Sequence, residues 1–132
     1  ITRAPGLEPD IGSIIRKELA PFDASRCEVH GGLLPLPSDI ARSVGLIVHE
    51  LVTNAVKYGA LSNEGGRIRV SWTRTGYTLE LHWTETGGSH NGAPTRVGFG
   101  TQLIEATAKG LNGGAVREFD ERSYSCRLTL RY

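Results

Sequence analysis

The feature that most constrains the fold is a stripe of apolar residues at helical spacing in the middle of the chain. Steps of three and four residues place the whole stripe on one face of an α-helix. Ser38 suits the N-cap position ahead of it, Asp39 complements the positive end of the helix dipole, and Gly59 marks its end. We therefore expect a long helix that covers a core. The stripe consists of Ile40, Val44, Ile47, Leu51 and Ala55.

A polar edge runs beside this stripe on the same helix. At about 100° per residue, Glu50, Asn54 and Lys57 project within a sector of roughly 60°. An acid, an amide and an ammonium together can hold a magnesium ion through oxygen atoms and neutralise phosphate charge. The alternative is a network of polar contacts on a solvated face, and the helix taken alone favours that alternative.

Two shorter patterns precede the long helix. Residues 10–20 place isoleucines and a leucine at helical spacing, which predicts a short amphipathic helix. Residues 26–36 predict two brief strands, because apolar residues flank the pair Gly31 and Gly32, which suits a hairpin turn.

Two alternating runs follow the long helix. Residues 67–73 and 77–83 predict an antiparallel pair joined by a turn at Gly76. The second run is apolar on one face only, so this strand covers a core on one side and the long helix is the expected cover. The apolar face carries Leu79, Leu81 and Trp83, and the opposite face carries Glu80 and His82.

The last third of the chain begins with a segment that lacks any apolar period. Residues 84–96 are rich in Gly, Pro and small polar side chains and predict a long functional loop. Residues 101–111 predict a helix, and residues 115–119 and 124–131 predict a final hairpin. Helices and hairpins in this order indicate an α+β sandwich, and 132 residues suit a single domain.

Charge and composition narrow the classes of function. Fifteen basic and fourteen acidic residues leave a formal charge of +1, which disfavours nucleic-acid binding. We also expect no membrane contact, because no apolar run approaches the roughly 20 residues of a membrane span. Cys27 and Cys126 lack CxxC spacing and are expected to be buried free thiols in a reducing cytoplasm.

Two glycine-rich stretches change the balance between the two interpretations of the polar edge. Gly87 and Gly88 lie in the predicted loop, and Gly98, Phe99 and Gly100 directly precede a predicted helix. Backbone amides and a helix N-terminus in that position can face phosphate oxygens, and the hydroxyl of the next residue, a threonine, can add a further donor. The ordered combination of these stretches with the polar edge therefore favours phosphate binding.

Three motifs together resemble a known family over nearly the whole chain. HELVTNAVKYGALS resembles the N box of the HWE family of sensor histidine kinases, within the GHKL ATPase superfamily. HWTETGG resembles the G1 box of that family, and GFGTQLIE resembles its G2 region. The residues for which the family is named match His49, Trp83 and Glu85.

The resemblance implies the Bergerat fold, a two-layer α/β sandwich whose mixed, mostly antiparallel sheet is covered by helices on one face. It implies that ATP is held between the long helix and a lid. Asn54 and Glu50 would serve a magnesium ion, and Lys57 and Tyr58 would approach the phosphates and the nucleotide. Glu85 would accept a hydrogen bond from the adenine amino group. Gly87, with Gly88 beside it, would let the backbone approach the base. The lid, together with the start of the helix that follows it near the phosphates, would include Gly98, Phe99, Gly100 and Thr101.

The implied activity is that of a protein-histidine kinase using ATP and Mg2+. Glu50 and Lys57 would assist transfer of the γ-phosphoryl group to a histidine on an upstream dimerisation helix, for relay to a response regulator. Nothing before residue 10 resembles that helix, so we expect this chain to be monomeric and unable to autophosphorylate alone. Two alternatives stay open: a regulatory module that binds ATP without phosphorylating, and an ATP hydrolase in which Glu50 activates water. We expect His49 to be structural and Trp83 to be a core aromatic.

Overall fold

The computed structural model describes residues 8–87 and 99–132. Its three α-helices are α1 (Ile11–Leu19), α2 (Ser38–Tyr58) and α3 (Phe99–Gly110). Its five strands are β1 (Cys27–His30), β2 (Arg67–Thr75), β3 (Thr78–Thr86), β4 (Gly114–Phe119) and β5 (Ser123–Arg131). Short 3-10 turns cover Ala24–Arg26 and Ala60–Ser62.

The strands form one mixed sheet in the order β1-β2-β3-β5-β4. Only β1 and β2 run parallel, and the other three pairs are antiparallel. Strand β3 lies at the centre, where Glu85 pairs with Ile68 of β2 and with Tyr124 of β5. The expected α+β sandwich with a mostly antiparallel sheet is confirmed.

The apolar stripe of α2 forms the centre of the core, as its spacing predicts. Val44 and Ile47 face Leu79 of β3 and Leu128 of β5 across the layer between helix and sheet. The alternation of β3 is also confirmed, because its buried and more exposed residues alternate along the whole strand. Helices α1 and α3 flank α2 and pack against it. Further buried members of the core are Ile11, Ile15, Leu36, Leu51, Ala55, Ile68, Val70, Trp83, Ile104, Ala108 and Leu130.

The predicted first hairpin is wrong. Only β1 forms, and it pairs in parallel with β2 instead of turning back at Gly31. The chain there crosses Trp72, whose indole N–H donates to the Gly32 carbonyl at 2.9 Å. A Cβ atom at Gly31 would lie 2.1 Å from the same ring, so the glycine serves a close approach between segments. Further along this segment, the backbone N–H of Leu34 donates to the carboxylate of Asp10, the residue just before α1.

The N-terminus of α2 also differs from the prediction by one residue. Ser38 is the first helical residue and Pro37 occupies the N-cap position, so the capping role expected of Ser38 is wrong. The Pro37 carbonyl accepts the first helical hydrogen bond, from Ala41 N at 2.8 Å. Asp39 lies in the first turn, and Gly59 caps the C-terminus, both as predicted.

The predicted loop begins later than expected, because β3 continues through Glu85 to Thr86. Residues 88–98 of that loop lie outside the described residues. Helix α3 begins at Phe99, so Phe99 and Gly100 belong to its first turn instead of preceding it.

Both cysteines of the chain are free thiols. Cys126 is buried as expected, whereas Cys27 is only half-buried. None of the helices in the described ranges combines the length and the apolar composition that crossing a membrane requires.

Candidate functional site

The polar edge of α2 lies at the boundary between core and solvent. Asn54 is buried to 9% exposure, Glu50 is half-buried, and Lys57 is exposed. A buried amide does not belong to a fully solvated face, so Asn54 does not fit the alternative of a simple surface network. Tyr58, at the end of the helix, is 40% exposed.

Glu85 is a fully buried acid at the centre of the sheet. Its Oε1 accepts the backbone N–H of Ala60 at 3.0 Å, and its Oε2 accepts the indole N–H of Trp83 at 2.8 Å. Ala60 follows α2 after a single intervening residue. The carboxylate therefore joins the middle strand to the end of the helix that carries the polar edge, and two donors fix its orientation.

Gly87 continues from β3 into a constrained backbone turn. Its φ of +73° is a conformation that favours glycine, and a Cβ atom there would lie 2.7 Å from the carbonyl oxygen of Gly65. Its own N–H donates to the Arg122 carbonyl at 3.2 Å, in the turn between β4 and β5. The end of the G1-like motif thus lies against the segment that follows α2.

The second glycine stretch is placed only in part. Phe99, Gly100 and Thr101 form the first turn of α3, and α3 packs against α2. The side chains of this turn are not described, and Gly88 and Gly98 lie outside the described residues. The structure therefore places Glu50, Asn54, Lys57 and Tyr58 along the C-terminal half of α2, and it joins Glu85 and Gly87 to the segment that follows this helix. It does not describe the rest of the predicted set.

The sequence is 37% identical over 110 residues to blue-light-activated histidine kinase 1 of Erythrobacter litoralis, covering 81% of this chain and 31% of that protein. It is 39% identical over 107 residues to a blue-light-activated histidine kinase of Brucella anthropi, covering 76% of this chain and 22% of that protein. The chain belongs to the histidine kinase family. It spans less than a third of the length of either relative.

A solved histidine kinase domain shows the same fold. The kinase domain of the Erythrobacter litoralis EL346 blue-light activated histidine kinase superposes with a TM-score of 0.72 at 16% identity, over 92% of this chain and 58% of that one. No family model matches the sequence. The family assignment therefore comes from the two relatives, and the solved domain confirms the fold.

His49 of this histidine kinase domain has the structural position that we expected. Its Nδ1 lies 3.0 Å from Oε2 of Glu18, so it connects α2 to α1. The Thr53 hydroxyl donates to the His49 carbonyl within the helix. Trp83 is also confirmed as a core aromatic, because it is fully buried in the sheet–helix layer.

Sequence reasoning missed the segment of the kinase domain between α2 and β2. Ala60 provides the N–H that orients Glu85, and Gly66 packs so close that a Cβ atom there would lie 1.8 Å from the Ala60 carbonyl oxygen. Arg26 donates to three carbonyl groups of this segment. The pair Gly65-Gly66 is visible in the sequence as a turn, but nothing local indicates that Arg26 reaches it.

A concavity of about 450 Å³ lies on the outer face of the sheet, away from the helices. Its charged groups are already paired with protein atoms. Arg69 Nε lies 3.7 Å from a Glu28 carboxylate oxygen, and Arg67 donates to the Ser25 carbonyl at 2.8 Å. Its lining includes Thr84 and Thr86 of the G1-like motif but none of the predicted site residues, so we place the functional site at the α2–β3 end.

Proposed function

We propose that this domain binds ATP over the C-terminal half of α2. The adenine would lie near Glu85 and Gly87, and the triphosphate would extend towards Lys57 and the start of α3. The observation that carries this proposal is the hydrogen bond from Ala60 N to Glu85, because it unites the N-box helix and the G1-like strand at one place. A carboxylate accepts hydrogen bonds only, which matches the amino group of adenine.

Each remaining residue of the site has a role in this proposal. The Lys57 ammonium neutralises phosphate charge, and Tyr58 lies beside the nucleotide. Gly87 has no side chain to keep the backbone from the base. We assign Gly88 to the same side of the base as Gly87. We assign Gly98, Phe99, Gly100 and Thr101 to the lid and to the turn beside the phosphates.

The polar edge of α2 also suits a magnesium ion bound with the nucleotide. Asn54 and Glu50 would hold it, because amide and carboxylate oxygens are ligands that magnesium accepts. No group of three or more His, Cys, Asp or Glu side chains in the described ranges forms a complete metal site. Two protein ligands are enough for a magnesium ion that keeps several water ligands and also binds the phosphate oxygens. When bound, the ion supplies neutralisation of triphosphate charge.

In the whole protein, we propose transfer of the γ-phosphoryl group to a histidine of an upstream dimerisation segment. An imidazole nitrogen forms a bond to the γ-phosphorus, and the bond from that phosphorus to the bridging oxygen breaks, so that ADP leaves. Glu50 acts as a polar or basic group near this phosphorus, and the phosphoryl group then passes to an aspartate of a response regulator. Such transfer depends on positioning and charge neutralisation.

Titration of the chain with ATP, with and without magnesium, tests the binding site. Asn54→Ala and Lys57→Ala should each weaken the magnesium-dependent affinity by about tenfold or more, since each removes a contact to a charged group. Thr53→Ala is the control for Asn54, because the Thr53 hydroxyl bonds to its own helix. Lys17→Ala, on α1, controls for the charge change. Wild-type affinity in both site variants would refute the assigned site.

Phosphoryl transfer needs the full-length protein as its test. We expect γ-labelled ATP to label the full-length protein on histidine, giving an acid-labile and base-stable product, and Asn54→Ala to abolish labelling. Steady release of phosphate by this chain alone would instead support ATP hydrolysis. ATP binding in a full-length protein that never becomes labelled would support a regulatory module.

A further inference from the structure

One arginine holds the whole segment that connects α2 to β2. The Nε of Arg26 donates to the Gly66 carbonyl at 2.9 Å, and its Nη2 donates to the Ala60 carbonyl at 2.9 Å and also to the Asn63 carbonyl. These partners lie 34 to 40 positions further along the chain. Because a guanidinium is a rigid, planar set of donors, it fixes the three carbonyls relative to one another.

The same segment is held from its other side by Glu85. The N–H of Ala60 donates to this carboxylate, and the carbonyl of Ala60 accepts from Arg26. Both backbone groups of one residue thus bind charged side chains, and such bonds are roughly twice as strong as neutral ones. Ala60 is fully buried, so water does not replace either partner.

Arg26 is itself held in place by the turn before β1. The Asp23 carboxylate accepts from the N–H and from the hydroxyl of Ser25, both at 2.9 Å. The Arg26 N–H donates to the Asp23 carbonyl at 2.9 Å, and β1 begins at the next residue. The half-buried guanidinium is therefore supported by a capped turn and by a strand paired to β2.

We propose that Arg26 is a positioning residue for the adenine end of the nucleotide site, an inference that rests on the proposed function. Arg26 does not contact the nucleotide. It holds Ala60 against Glu85, so the carboxylate keeps one orientation. It also keeps Gly65 and Gly66 close to Gly87, so the backbone segments beside the base stay in contact. Without the guanidinium, three carbonyls lose their donor and the Ala60–Glu85 bond is no longer held from both sides.

The test compares how Arg26 variants distinguish ATP from inosine triphosphate, which has a carbonyl where adenine has its amino group. Both nucleotides carry the same triphosphate, so only the base end differs. In Arg26→Met, we expect the preference for ATP to fall by about tenfold, the equivalent of one charge-assisted hydrogen bond. Magnesium tripolyphosphate should bind the variant within about twofold of wild type, since it makes no base contact.

Arg67→Met is the matched control, because it removes a guanidinium that bonds to Ser25 and leaves Ala60–Gly66 untouched. It should retain the wild-type preference. Arg26→Lys keeps the charge but offers a compact donor instead of a fork, so an intermediate preference is expected. This variant keeps the test valid if Arg26→Met does not fold.

Hydrogen exchange provides a readout that needs no nucleotide. In Arg26→Met or Arg26→Lys, protection of the Ala60 amide should fall relative to the Ala55 amide of α2, which lies within the helix. A variant with lower thermal stability, unchanged Ala60 protection and unchanged preference for ATP would overturn the proposal, since that is the result of a merely structural role. Failure of the wild-type chain to bind ATP would instead refute the proposed function.

Discussion

Replacing Trp83 with phenylalanine isolates one contact at the centre of the proposed site. The change removes the indole N–H that donates to Glu85 at 2.8 Å while keeping an aromatic ring in the core. Both side chains are fully buried, so water does not supply a replacement donor. We therefore expect the protein to be clearly less stable although its fold is retained.

The magnitude follows from the two things that the substitution removes. Loss of a hydrogen bond to a charged group costs about 1.5–3 kcal/mol. The smaller ring leaves unfilled volume in the core, which adds about 1 kcal/mol. The free energy of unfolding should thus fall by about 2.5–4 kcal/mol in Trp83→Phe.

Trp72→Phe is a control with the same chemical change at a second buried tryptophan. Trp72 is 5% exposed and donates to a neutral acceptor, the Gly32 carbonyl, at 2.9 Å. That bond contributes about 0.5–1.5 kcal/mol, so Trp72→Phe should be less destabilising than Trp83→Phe by about 1–2 kcal/mol. Urea denaturation followed by far-UV circular dichroism measures both, because this signal comes mainly from the peptide backbone and not from tryptophan emission.

The comparison becomes decisive in a Glu85→Gln background, where the acceptor at position 85 is neutral. In that background, Trp83→Phe should lower the free energy of unfolding by only as much as Trp72→Phe does. The difference gives a coupling energy of about 1–2 kcal/mol between Trp83 and Glu85. Equal costs for the two tryptophans, or a Trp83→Phe cost that is the same with Glu85 and with Gln at that position, would refute the reasoning.

Two further predictions concern other buried positions. Gly66→Ala should cost about 1–3 kcal/mol, because its Cβ would lie 1.8 Å from the Ala60 carbonyl oxygen, whereas Gly32→Ala, which enters open space, should change stability by less than about 0.5 kcal/mol in the same denaturation assay. Burial raises the pKa of the Cys126 thiol from 9.0 to about 11, so the unfolded chain loses this proton first as pH rises. The free energy of unfolding should therefore fall by up to about 3 kcal/mol as the pH rises from about 9 to about 11. In Cys126→Ala, this part of the pH dependence should be absent.

Periodicity explains which parts of the fold could be predicted from the sequence. The stripe of α2 and the alternation of β3 each repeat over several turns or residues, and burial on one face produced both patterns. The polar edge followed directly, since Glu50, Asn54 and Lys57 are fixed relative to the stripe by the geometry of one helix. Local patterns of this kind need no knowledge of distant residues.

The mistaken predictions depend on contacts between distant parts of the chain. Gly31 and Gly32 suit a hairpin locally, but Gly31 makes room for the ring of Trp72, and the Gly32 carbonyl accepts from its indole N–H, 40 positions further along the chain. Arg26 reaches Ala60 over a similar separation, so the residue that holds the edge of the site carries no local signal. Glu85 appeared to belong to a loop because its apolar neighbours end at Trp83, whereas pairing with β2 and β5 extends the strand.

The directions of two helices give the proposed site an electrostatic polarity. The C-terminus of α2 carries partial negative charge, and Glu85 adds a carboxylate to the same corner. Arg26 binds the Ala60 carbonyl beside Glu85, whereas Lys57 lies in the last turn of the helix and is exposed. An electronegative corner favours the amino group of adenine and repels phosphate. We therefore expect the triphosphate to extend away from Glu85, towards Lys57 and the N-terminus of α3, where the partial charge is positive. Reversing the charge at Lys57 with Lys57→Glu should accordingly weaken the binding of ATP far more than the binding of adenosine. Equal losses of affinity for the two ligands would contradict this orientation.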